Sequence, residues 1–328
     1  METGASASSV LAPLLAGFVS AAMTKVLVRT RALPLDTPNQ RSLHAVPIPR
    51  TGGIAIILGI IAAACWLHAS LALLVPAGSL AIASYLDDRY ALPASLRLAV
   101  HLIAVGVFLW LNDAPVSAAM FITLVLAVGW ITNLFNFMDG SDGLAGGMAV
   151  IGFGSYGLAA WLSGDAHLSL LALSIAAAAA GFLIFNFYPA KIFMGDVGSI
   201  PLGFLAGSVG IAGWLQNLWP LWFPLVVFAP FIVDASLTLV RRLIRGERAW
   251  EAHRKHYYQR LILAGWSHRN TAVSEYALML TCSAAAILCL RASPAVQMIV
   301  IGTLVVVFAV AMRAIDQRWR QFLASAHD

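Results

Sequence analysis

The sequence has little charge and few cysteines for its length. Of its 328 residues, 11% are Asp, Glu, Lys or Arg, whereas about a quarter of an ordinary soluble domain is charged. This composition excludes a water-soluble globular protein, and with it a soluble basic domain that could bind nucleic acid. The three cysteines, Cys65, Cys282 and Cys289, all lie within apolar runs, which argues against a disulfide framework and a cysteine-based metal site.

Long apolar runs take the place of charge. Hydrophobic residues make up 60% of the chain, and its mean hydropathy is +0.84. Runs of about 20 apolar residues recur along the whole length, which is the span of a transmembrane helix. The pattern predicts an all-α polytopic membrane protein that forms a single domain over residues 1–328. About eleven transmembrane helices (10–11) are expected, over residues 8–28, 52–68, 71–86, 96–111, 116–135, 144–162, 168–186, 200–215, 219–240, 275–291 and 296–313.

The basic residues predict the orientation of these helices. Of the 20 Lys and Arg residues, all but Arg291 fall on one side of the predicted membrane. The positive-inside rule makes that side cytoplasmic, with the N-terminus periplasmic and the C-terminus cytoplasmic. This bias accounts for most of the net charge of +5, although a contribution to binding anionic lipid or nucleotide is an open alternative. The predicted cytoplasmic loops are about 29–51, 87–95, 136–143, 187–199 and 241–272.

Five aspartates lie at the ends of apolar runs, and the predicted topology places them all on the cytoplasmic face. They are Asp87, Asp88, Asp139, Asp142 and Asp196. Carboxylates are rare near a bilayer because burying a charge costs several kcal/mol. Five like charges at one surface repel one another unless a cation lies among them. A hard divalent cation that bridges phosphate oxygens meets this need, so the pattern predicts a membrane-embedded phosphoryl-transfer enzyme.

Some of these acids have structural alternatives. Asp142 and Asp196 each precede a predicted helix and could be its N-cap. Asp87 and Asp88 follow a predicted helix, where the partial negative charge of the helix end disfavours carboxylates. We therefore expect no capping role for that pair. Adjacent carboxylates also raise one another's pKa, which is typical of functional sites.

Other polar residues in the same loops also have two interpretations. Arg50 precedes Gly52 and Gly53, a pair that lets the backbone approach a ligand closely, although an ordinary turn explains it as well. Arg97 could bind phosphate or act only as a positive-inside anchor. Phe193 could stack on a base or anchor its loop at the membrane interface.

The longest predicted loop contains two histidines among cations. His253 and His256 are three residues apart, so we expect them on one helix face. Zinc is not favoured because no third ligand follows at zinc spacing. With Arg254 and Arg260 nearby, the segment suits an anionic, hydrogen-bonding substrate. A basic amphipathic segment on the membrane surface is the alternative.

Read in order, these segments resemble the polyprenyl-phosphate N-acetylaminosugar-1-phosphate transferase superfamily, which is glycosyltransferase family 4. The matching segments are Asp87 and Asp88 with Arg97, NLFNFMDGSDG at 133–143, NFYPAKIFMGDVGS at 186–199 and HRKHYYQR at 253–260. The resemblance extends from residue 41 to about residue 261. The last motif, extended by one residue to HRKHYYQRL at 253–261, resembles the subgroup that initiates O-antigen synthesis.

The resemblance implies a reaction, its partners and its location. The donor would be a UDP-N-acetylhexosamine, and the acceptor undecaprenyl phosphate in the lipids of the bacterial inner membrane. The products would be UMP and undecaprenyl-diphospho-sugar, which would begin O-antigen, lipopolysaccharide or related envelope glycan synthesis. The cofactor would be Mg²⁺, with Mn²⁺ as a substitute. N-acetylfucosamine, N-acetylquinovosamine and N-acetylglucosamine all stay open as the sugar, and so does a homodimer.

The resemblance also implies roles for individual residues. Asp196 would be the main magnesium ligand, with Asn136 as a second. Asp87 would orient or deprotonate the lipid phosphate beside Asp88. The remaining assignments are catalytic support by Asp139 and Asp142, nucleotide or sugar binding by Asn186, Phe193, His253, His256, Arg254 and Arg260, and phosphate binding by Arg97 and Arg50. The family often has Lys at the position of Arg97, which keeps the charge but changes the geometry.

A secondary transporter or lipid flippase is the alternative class, because many helices with intramembrane acids would fit it. Transporters, however, place their polar residues near the bilayer midplane and commonly contain inverted repeats. Here the acids lie at one face, which favours the transferase. A scaffold role would leave the acids unexplained.

Overall fold

The computed structural model describes residues 7–30, 35–36, 43, 47–90, 92–248 and 253–325. The beginning of the region of family resemblance, at residues 41–42 and 44–46, lies outside the described residues. So do residues 249–252 within the predicted loop 241–272.

The described chain is almost entirely helical. In this part of the chain, nine helices are long and apolar enough to cross a membrane. They are α1 (Ala12–Arg29), α3 (Leu71–Tyr90), α4 (Ala94–Leu111), α5 (Ala118–Phe137), α6 (Leu144–Leu162), α7 (Ala166–Asn186), α8 (Asp196–Leu215), α12 (His268–Cys289) and α13 (Pro294–Ser325).

Shorter elements complete the fold. They are a 3-10 helix at Ala7–Leu11, α2 (Gly52–Trp66), α9 (Trp222–Val227), α10 (Ala229–Ile244), α11 (Tyr257–Leu263), β1 (Leu35–Asp36) and β2 (Ile48–Pro49). The two strands pair antiparallel, with Leu35 opposite Pro49. The prediction of an all-helical, multi-pass membrane protein is confirmed apart from this small ladder, whereas the number of passes and their orientation stay predictions.

The expected single helix over residues 219–240 is wrong. The chain breaks at Phe228, which ends α9 and precedes α10. Pro230 lies in the first turn of α10. Proline has no N–H to donate to a preceding carbonyl, and its ring clashes with the carbonyl four residues earlier. A continuous helix through Phe228 is therefore disfavoured.

The helices alternate in direction, so their connections fall into two sets. We call the end of the bundle where α3, α5 and α7 finish and α8 begins the acidic end, because the five aspartates lie there. The other end is closed by short turns that contact one another. Ser163 Oγ donates to the Leu218 carbonyl at 3.2 Å, and an Arg291 guanidinium nitrogen donates to the Leu162 carbonyl at 2.7 Å.

Helix α8 is the centre of the bundle. In the most apolar 18-residue stretch of α8, 89% of the residues are buried, whereas in the corresponding stretch of α13 the share is 17%. Glycines on α8 allow this enclosure, since a Cβ at Gly203 would collide with Thr132 and Phe135 of α5. Close approach at small residues is how helices pack inside a membrane. The acid at the start of α8 is thereby fixed at the middle of the acidic end.

The glycine pair at the start of α2 packs against the segment that leads into α8 and against its first turn. Gly52 and Gly53 donate their N–H groups to the carbonyls of Phe193 and Met194, at 2.9 and 2.8 Å. A Cβ at Gly53 would fall on the backbone nitrogen and Cα of Gly198. The backbone approach expected for this pair therefore occurs, but toward another segment of the chain. It joins the Arg50 loop to the beginning of α8.

We predict that Gly53→Ala lowers stability by about 1–3 kcal/mol, because the new methyl group meets backbone atoms that cannot rotate away. The apparent unfolding temperature of the purified protein in detergent measures this. Gly78→Ala is the matched control, since a Cβ at Gly78 meets nothing within 4 Å. Equal unfolding temperatures for the two variants would contradict the packing described for Gly53.

Candidate functional site

Four of the five predicted acids meet at the acidic end. Asp196, the first residue of α8, lies within electrostatic range of Asp87, Asp88 and Asp139. Arg50 and Arg97 lie within range of Asp196 as well. We call these four aspartates the acidic cluster. Its charge is only partly offset by two arginines, so the cluster attracts a further cation.

Asp87 and Asp88 each pair with one arginine. Arg50 Nη2 donates to Asp88 Oδ1 at 2.6 Å, and Arg97 Nη1 donates to Asp87 Oδ2 at 3.1 Å. The two guanidinium side chains are 36% and 42% exposed, so both remain accessible to an anion. Asp87 Oδ1 also accepts from the Leu92 N–H at 2.7 Å. Asp87 therefore also closes the turn between α3 and α4, which is a local role other than helix capping.

Asp196 is held by an amide. The N-cap of α8 is Gly195, so the N-cap alternative for Asp196 is wrong. The Asn136 side chain hydrogen-bonds to the Asp196 carboxylate, while Asn136 Oδ1 accepts from Ser199 Oγ at 2.7 Å. With the amide in this orientation, Asn136 turns its nitrogen toward Asp196. It therefore orients the carboxylate, and its proposed service as a metal ligand stays a prediction.

Asp139 adds a carboxyl group in a partly buried position. It follows the end of α5, and its carboxylate accepts a hydrogen bond from the Gly195 backbone. Burial raises the pKa of Asp139 well above its usual value, and the neighbouring Asp196 raises it further, against the Gly195 hydrogen bond. A cation beside Asp139 would relieve both causes.

The donor set fits magnesium bound together with substrate. Within the described residues, no group of three or more His, Cys, Asp or Glu side chains is arranged to hold a metal. Asp196, with Asp139 close by, instead offers one or two carboxylates in an oxygen-rich site. Mg²⁺ is commonly held by one or two carboxylates, with substrate phosphates and water completing its shell.

Asp142 has a different position from the other acids. Its Oδ2 accepts from the Ala190 N–H at 3.0 Å, and its Oδ1 lies 3.7 Å from His268 Nδ1. The N-cap of α6 is Gly143, so the N-cap alternative for Asp142 is also wrong. Asp142 is 7% exposed, and it ties the turn before α6 to the loop before α8.

Asn186 makes a second tie between the same two segments. Its Oδ1 accepts from the Gly143 N–H at 3.1 Å, and its Nδ2 donates to the Ile192 carbonyl at 2.9 Å. The side chain is 3% exposed. Asn186 therefore holds the loop in place, and contact with a nucleoside stays a prediction for it.

Phe193 is presented from a fixed backbone. Its N–H donates to the Pro49 carbonyl at 2.7 Å, and its carbonyl accepts from Gly52. The residue is half-buried at the edge of the acidic end. This fixes where an aromatic face is available, although stacking on a base stays a prediction.

The two histidines are adjacent without sharing a helix face. Helix α11 begins at Tyr257, so His256 is its N-cap and His253 precedes it. The expectation that both lie on one helix face is therefore wrong. The turn before α11 instead brings the rings to a centroid distance of 4.9 Å.

Asp234, an acid inside an apolar run that is expected to pair with a nearby Arg or His, pairs with His256 and positions it. Its Oδ1 accepts from the Tyr257 N–H at 3.0 Å and lies 3.1 Å from His256 Nδ1, while its Oδ2 accepts from the Tyr258 N–H at 3.0 Å. Asp234 and His256 are 2% and 3% exposed. A proton on Nδ1 facing the carboxylate leaves Nε2 as the acceptor nitrogen. The available signal was an aspartate inside an apolar run.

The histidine segment is tied to the acidic end by a tyrosine. Tyr258 Oη donates to the Phe137 carbonyl at the end of α5, at 3.2 Å. The His256 ring lies 6.2 Å from the Phe137 ring. Since Asp139 is two residues farther along the chain, the histidines border the acidic cluster.

Arg260 faces a different set of partners. Its guanidinium donates to Asp316 Oδ1 and to the Lys255 carbonyl, both at 2.8 Å, and lies 4.7 Å from the Tyr257 ring centroid. These contacts assign it to the support of α11, and sugar binding stays a prediction. Arg254 is exposed.

The comparisons with known proteins agree with this arrangement. Residues 70–214 match the family described as Glycosyl transferase family 4. A probable undecaprenyl-phosphate N-acetylglucosaminyl 1-phosphate transferase of Bacillus subtilis is 28% identical over 88% of this chain and 87% of its own. A decaprenyl-phosphate N-acetylglucosaminephosphotransferase of Mycobacterium tuberculosis is 31% identical over 73% and 71%. A phospho-N-acetylmuramoyl-pentapeptide-transferase of Geobacillus thermodenitrificans is 29% identical over 70% and 80%.

We predict that Asp234→Asn loosens the start of α11. An amide replaces one acceptor oxygen with a donor, so at least one bond from His256, Tyr257 or Tyr258 is lost. A lost buried hydrogen bond costs about 1–3 kcal/mol, so amide exchange in α11 should accelerate roughly tenfold or more, as hydrogen–deuterium exchange mass spectrometry would show.

The matched control for this change is Asp165→Asn. Asp165 is the N-cap of α7 and accepts from the Leu168 N–H at 2.8 Å, and asparagine caps a helix as well as aspartate does. Exchange in α7 should therefore not change. Unaltered exchange in α11 of the Asp234 variant would show that the carboxylate does not position this helix.

We predict that His253→Asn makes stability less sensitive to acid. Burial, followed by the charges of His256, Arg242 and Lys255, lowers the pKa of His253 from 6.5 to about 4. The unfolded chain therefore takes up the proton first, and wild-type stability falls as pH drops from 6.5 toward 4. Asparagine does not titrate, so its apparent unfolding temperature should decline less over this range.

His68→Asn is the control for the pH experiment. His68 lies in a turn at the opposite end of the bundle with a φ of 51°, a conformation that asparagine tolerates. This variant should keep the wild-type slope between pH 6.5 and 4. A wild-type slope in the His253 variant would mean that His253 takes up its proton equally well in the folded and unfolded protein.

Proposed function

Because this chain belongs to glycosyl transferase family 4, the polyprenyl-phosphate sugar-phosphate transferases, we propose that it transfers N-acetylhexosamine 1-phosphate from a UDP-sugar to undecaprenyl phosphate. The observation that carries the proposal is the acidic cluster with Arg50 and Arg97 at one end of an apolar bundle. Phosphoryl transfer between two anionic substrates needs this combination of cation-binding acids and phosphate-binding arginines. The predicted topology puts this end in the cytoplasm of a bacterium.

The relatives favour one donor over the others. The Bacillus subtilis and Mycobacterium tuberculosis proteins are both named for N-acetylglucosamine transfer, which supports UDP-N-acetylglucosamine as the first donor to test. The HRKHYYQRL segment at 253–261 supports the N-acetylated deoxyhexosamines, N-acetylfucosamine and N-acetylquinovosamine, as the second choice. Any of these products would serve as the first lipid-linked sugar of an O-antigen or related envelope glycan.

The lipid phosphate is itself the nucleophile. The second pKa of a phosphate monoester is about 6, so the group is largely ionised at neutral pH. One of its oxygens forms a bond to the β-phosphorus of the donor, and the bond from that phosphorus to the bridging oxygen breaks as UMP leaves. Asp87 and Asp88, with their arginine partners, would orient the lipid phosphate for this in-line attack.

The remaining residues would hold the donor. Asp196, oriented by Asn136, would bind Mg²⁺, or Mn²⁺ in its place, and the metal would neutralise the diphosphate charge. Phe193 would stack on the uracil ring. His256, fixed by Asp234 with Nε2 free to accept, would meet the sugar or the diphosphate beside His253.

The transporter alternative is not favoured. The family of the chain is one of transferases, and the acids gather at the end of the bundle. A transporter site would lie near the bilayer midplane.

The test is release of UMP by the purified protein, given undecaprenyl phosphate, Mg²⁺ and each of the three UDP-sugars in turn. Release that requires all three components supports the proposal. We predict that Asp196→Asn lowers turnover at least roughly 100-fold, because it removes the charge that holds the metal. Folding should be retained, as an unchanged elution volume and unfolding temperature would show.

Asp113→Asn is the matched control for this experiment. Asp113 lies in the turn after α4, at the other end of the bundle, with a φ of 45°, which asparagine also adopts. It should keep wild-type turnover. Near-normal UMP release by the Asp196 variant would remove that residue from the reaction, and failure of the well-folded wild type with every donor would overturn the proposal.

A further inference from the structure

Helix α13 is longer than a membrane crossing requires. Its 32 residues correspond to about 48 Å of helix, whereas the hydrocarbon core is about 30 Å thick. The sequence of its last part is polar, with Arg313, Asp316, Arg318 and Arg320. We call residues 313–325 the α13 extension. It projects at the acidic end of the bundle.

The α13 extension is docked by an ion-pair cluster. Arg241 Nη1 donates to both carboxylate oxygens of Asp316, at 2.9 and 2.7 Å, and Arg260 donates to Oδ1 at 2.8 Å. The two guanidinium groups lie 5.3 and 4.7 Å from the Tyr257 ring centroid. The extension therefore has a fixed position against α10 and α11.

A strongly basic cavity of about 500 Å³ forms where the extension meets α10 and the segment before α11. Its volume is in the range of small-molecule sites. Asp316 is its one acidic lining residue among the described residues, and Asp316 is already paired with two arginines. The cations that line it are Arg241, Arg245, Arg254, Lys255, Arg260 and Arg320.

Part of this positive charge has no acidic counterpart among the described residues. Lys255 is paired with Glu247 at 2.6 Å. Arg320 donates from Nε to the Asp316 carbonyl at 3.3 Å, and no carboxylate among the described residues pairs with its charge. Arg245 and Arg254 contact no acid among the described residues. An anionic group entering the cavity would meet Arg245, Arg254 and Arg320, which pair with no acid among the described residues.

The border of the cavity is partly apolar. Trp319 and Leu323 line it, and tryptophan is enriched at the level of membrane headgroups. Leu243 and Ile244, immediately before Arg245, are 53% and 80% exposed. A ligand with an anionic head and a hydrocarbon tail would satisfy both the arginines and this border. A small soluble anion would satisfy only the arginines.

We propose that this cavity binds the phosphodiester headgroup of an anionic phospholipid. None of the four aspartates of the acidic cluster lines the cavity, so the proposal does not depend on the transfer reaction. Arg254 and Arg260, to which the family resemblance gives donor binding, do line it, and the test below therefore changes Arg245 and Arg320 instead. The lipid would neutralise Arg245 and Arg320 and would hold the α13 extension against α11.

The test compares lipid binding by full-length variants in native mass spectrometry, with phosphatidylglycerol or phosphatidylcholine added to the purified protein. The wild type should retain phosphatidylglycerol in preference to phosphatidylcholine. The double variant Arg245→Gln with Arg320→Gln should weaken phosphatidylglycerol binding roughly 25-fold, since each arginine near an anionic lipid contributes about fivefold. Equal binding by the wild type and this variant would overturn the proposal.

Two further variants distinguish the loss of charge in the cavity from a loss of folding. Arg269→Gln with Arg318→Gln removes the same charge from a neighbouring surface, where Arg318 lies 5.7 Å from the Trp266 ring, and should bind like the wild type. The single change Arg245→Glu reverses an exposed charge without touching the docked residues, and it should reproduce the loss. Wild-type binding by the Glu variant would also overturn the proposal.

A soluble headgroup tests whether the cavity binds a membrane lipid or a soluble phosphodiester. Glycerophosphoglycerol carries the same phosphodiester without acyl chains, and we expect it to bind at least roughly 100-fold more weakly than phosphatidylglycerol, because it buries no apolar surface. Binding as tight as that of the lipid would show a site for soluble anions and overturn the assignment to a membrane lipid.

Discussion

Mutual repulsion among closely placed carboxylates is the constraint on which this structure depends. Asp196 lies within electrostatic range of Asp87, Asp88 and Asp139, and Asp87 within range of Asp88. They lie at the end of an apolar bundle, where water screens them only in part. Two arginines offset only part of this charge. Such a cluster persists only when the surrounding helices are rigid, which explains the enclosure of α8 and the glycine contact between α2 and α8. The negative charge that the arginines do not offset favours binding of a cation together with the phosphate groups of a substrate.

The polar residues divide into those whose hydrogen bonds are made within the chain and those whose polar atoms remain available to a ligand. Asp142, Asn186 and Asp234 are buried and accept or donate several hydrogen bonds within the chain. Each joins two segments, so their loss would displace loops before it altered any chemistry. Asp196 is held mainly by the Asn136 amide, and an amide leaves most of the carboxylate free for a metal. Residues of both kinds belong to the same motifs, which explains why a motif alone does not assign roles.

Features that depend on where the helices end could be predicted from the sequence. Apolar runs give the helices, and alternation of direction brings Asp87, Asp139 and Asp196 to one end whatever the packing. Contacts between distant segments could not be predicted in this way. Asp234 meets His256 across 22 residues and Asp316 meets Arg260 across 56, and no periodicity connects such positions. The prediction that His253 and His256 share a helix face was wrong for a local reason, because α11 begins at Tyr257 and leaves His253 outside the helix.

The shortness of α11 connects these observations. A helix of seven residues is not stable on its own in water, so its position comes from its partners. Asp234 holds its N-terminus, where the helix dipole favours a negative charge, and Asp316 holds Arg260 near its other end. His256 lies at the first of these attachments, and the basic cavity adjoins the second. A ligand that steadies the α13 extension would therefore steady the histidine as well, through a rigid element rather than through a direct contact.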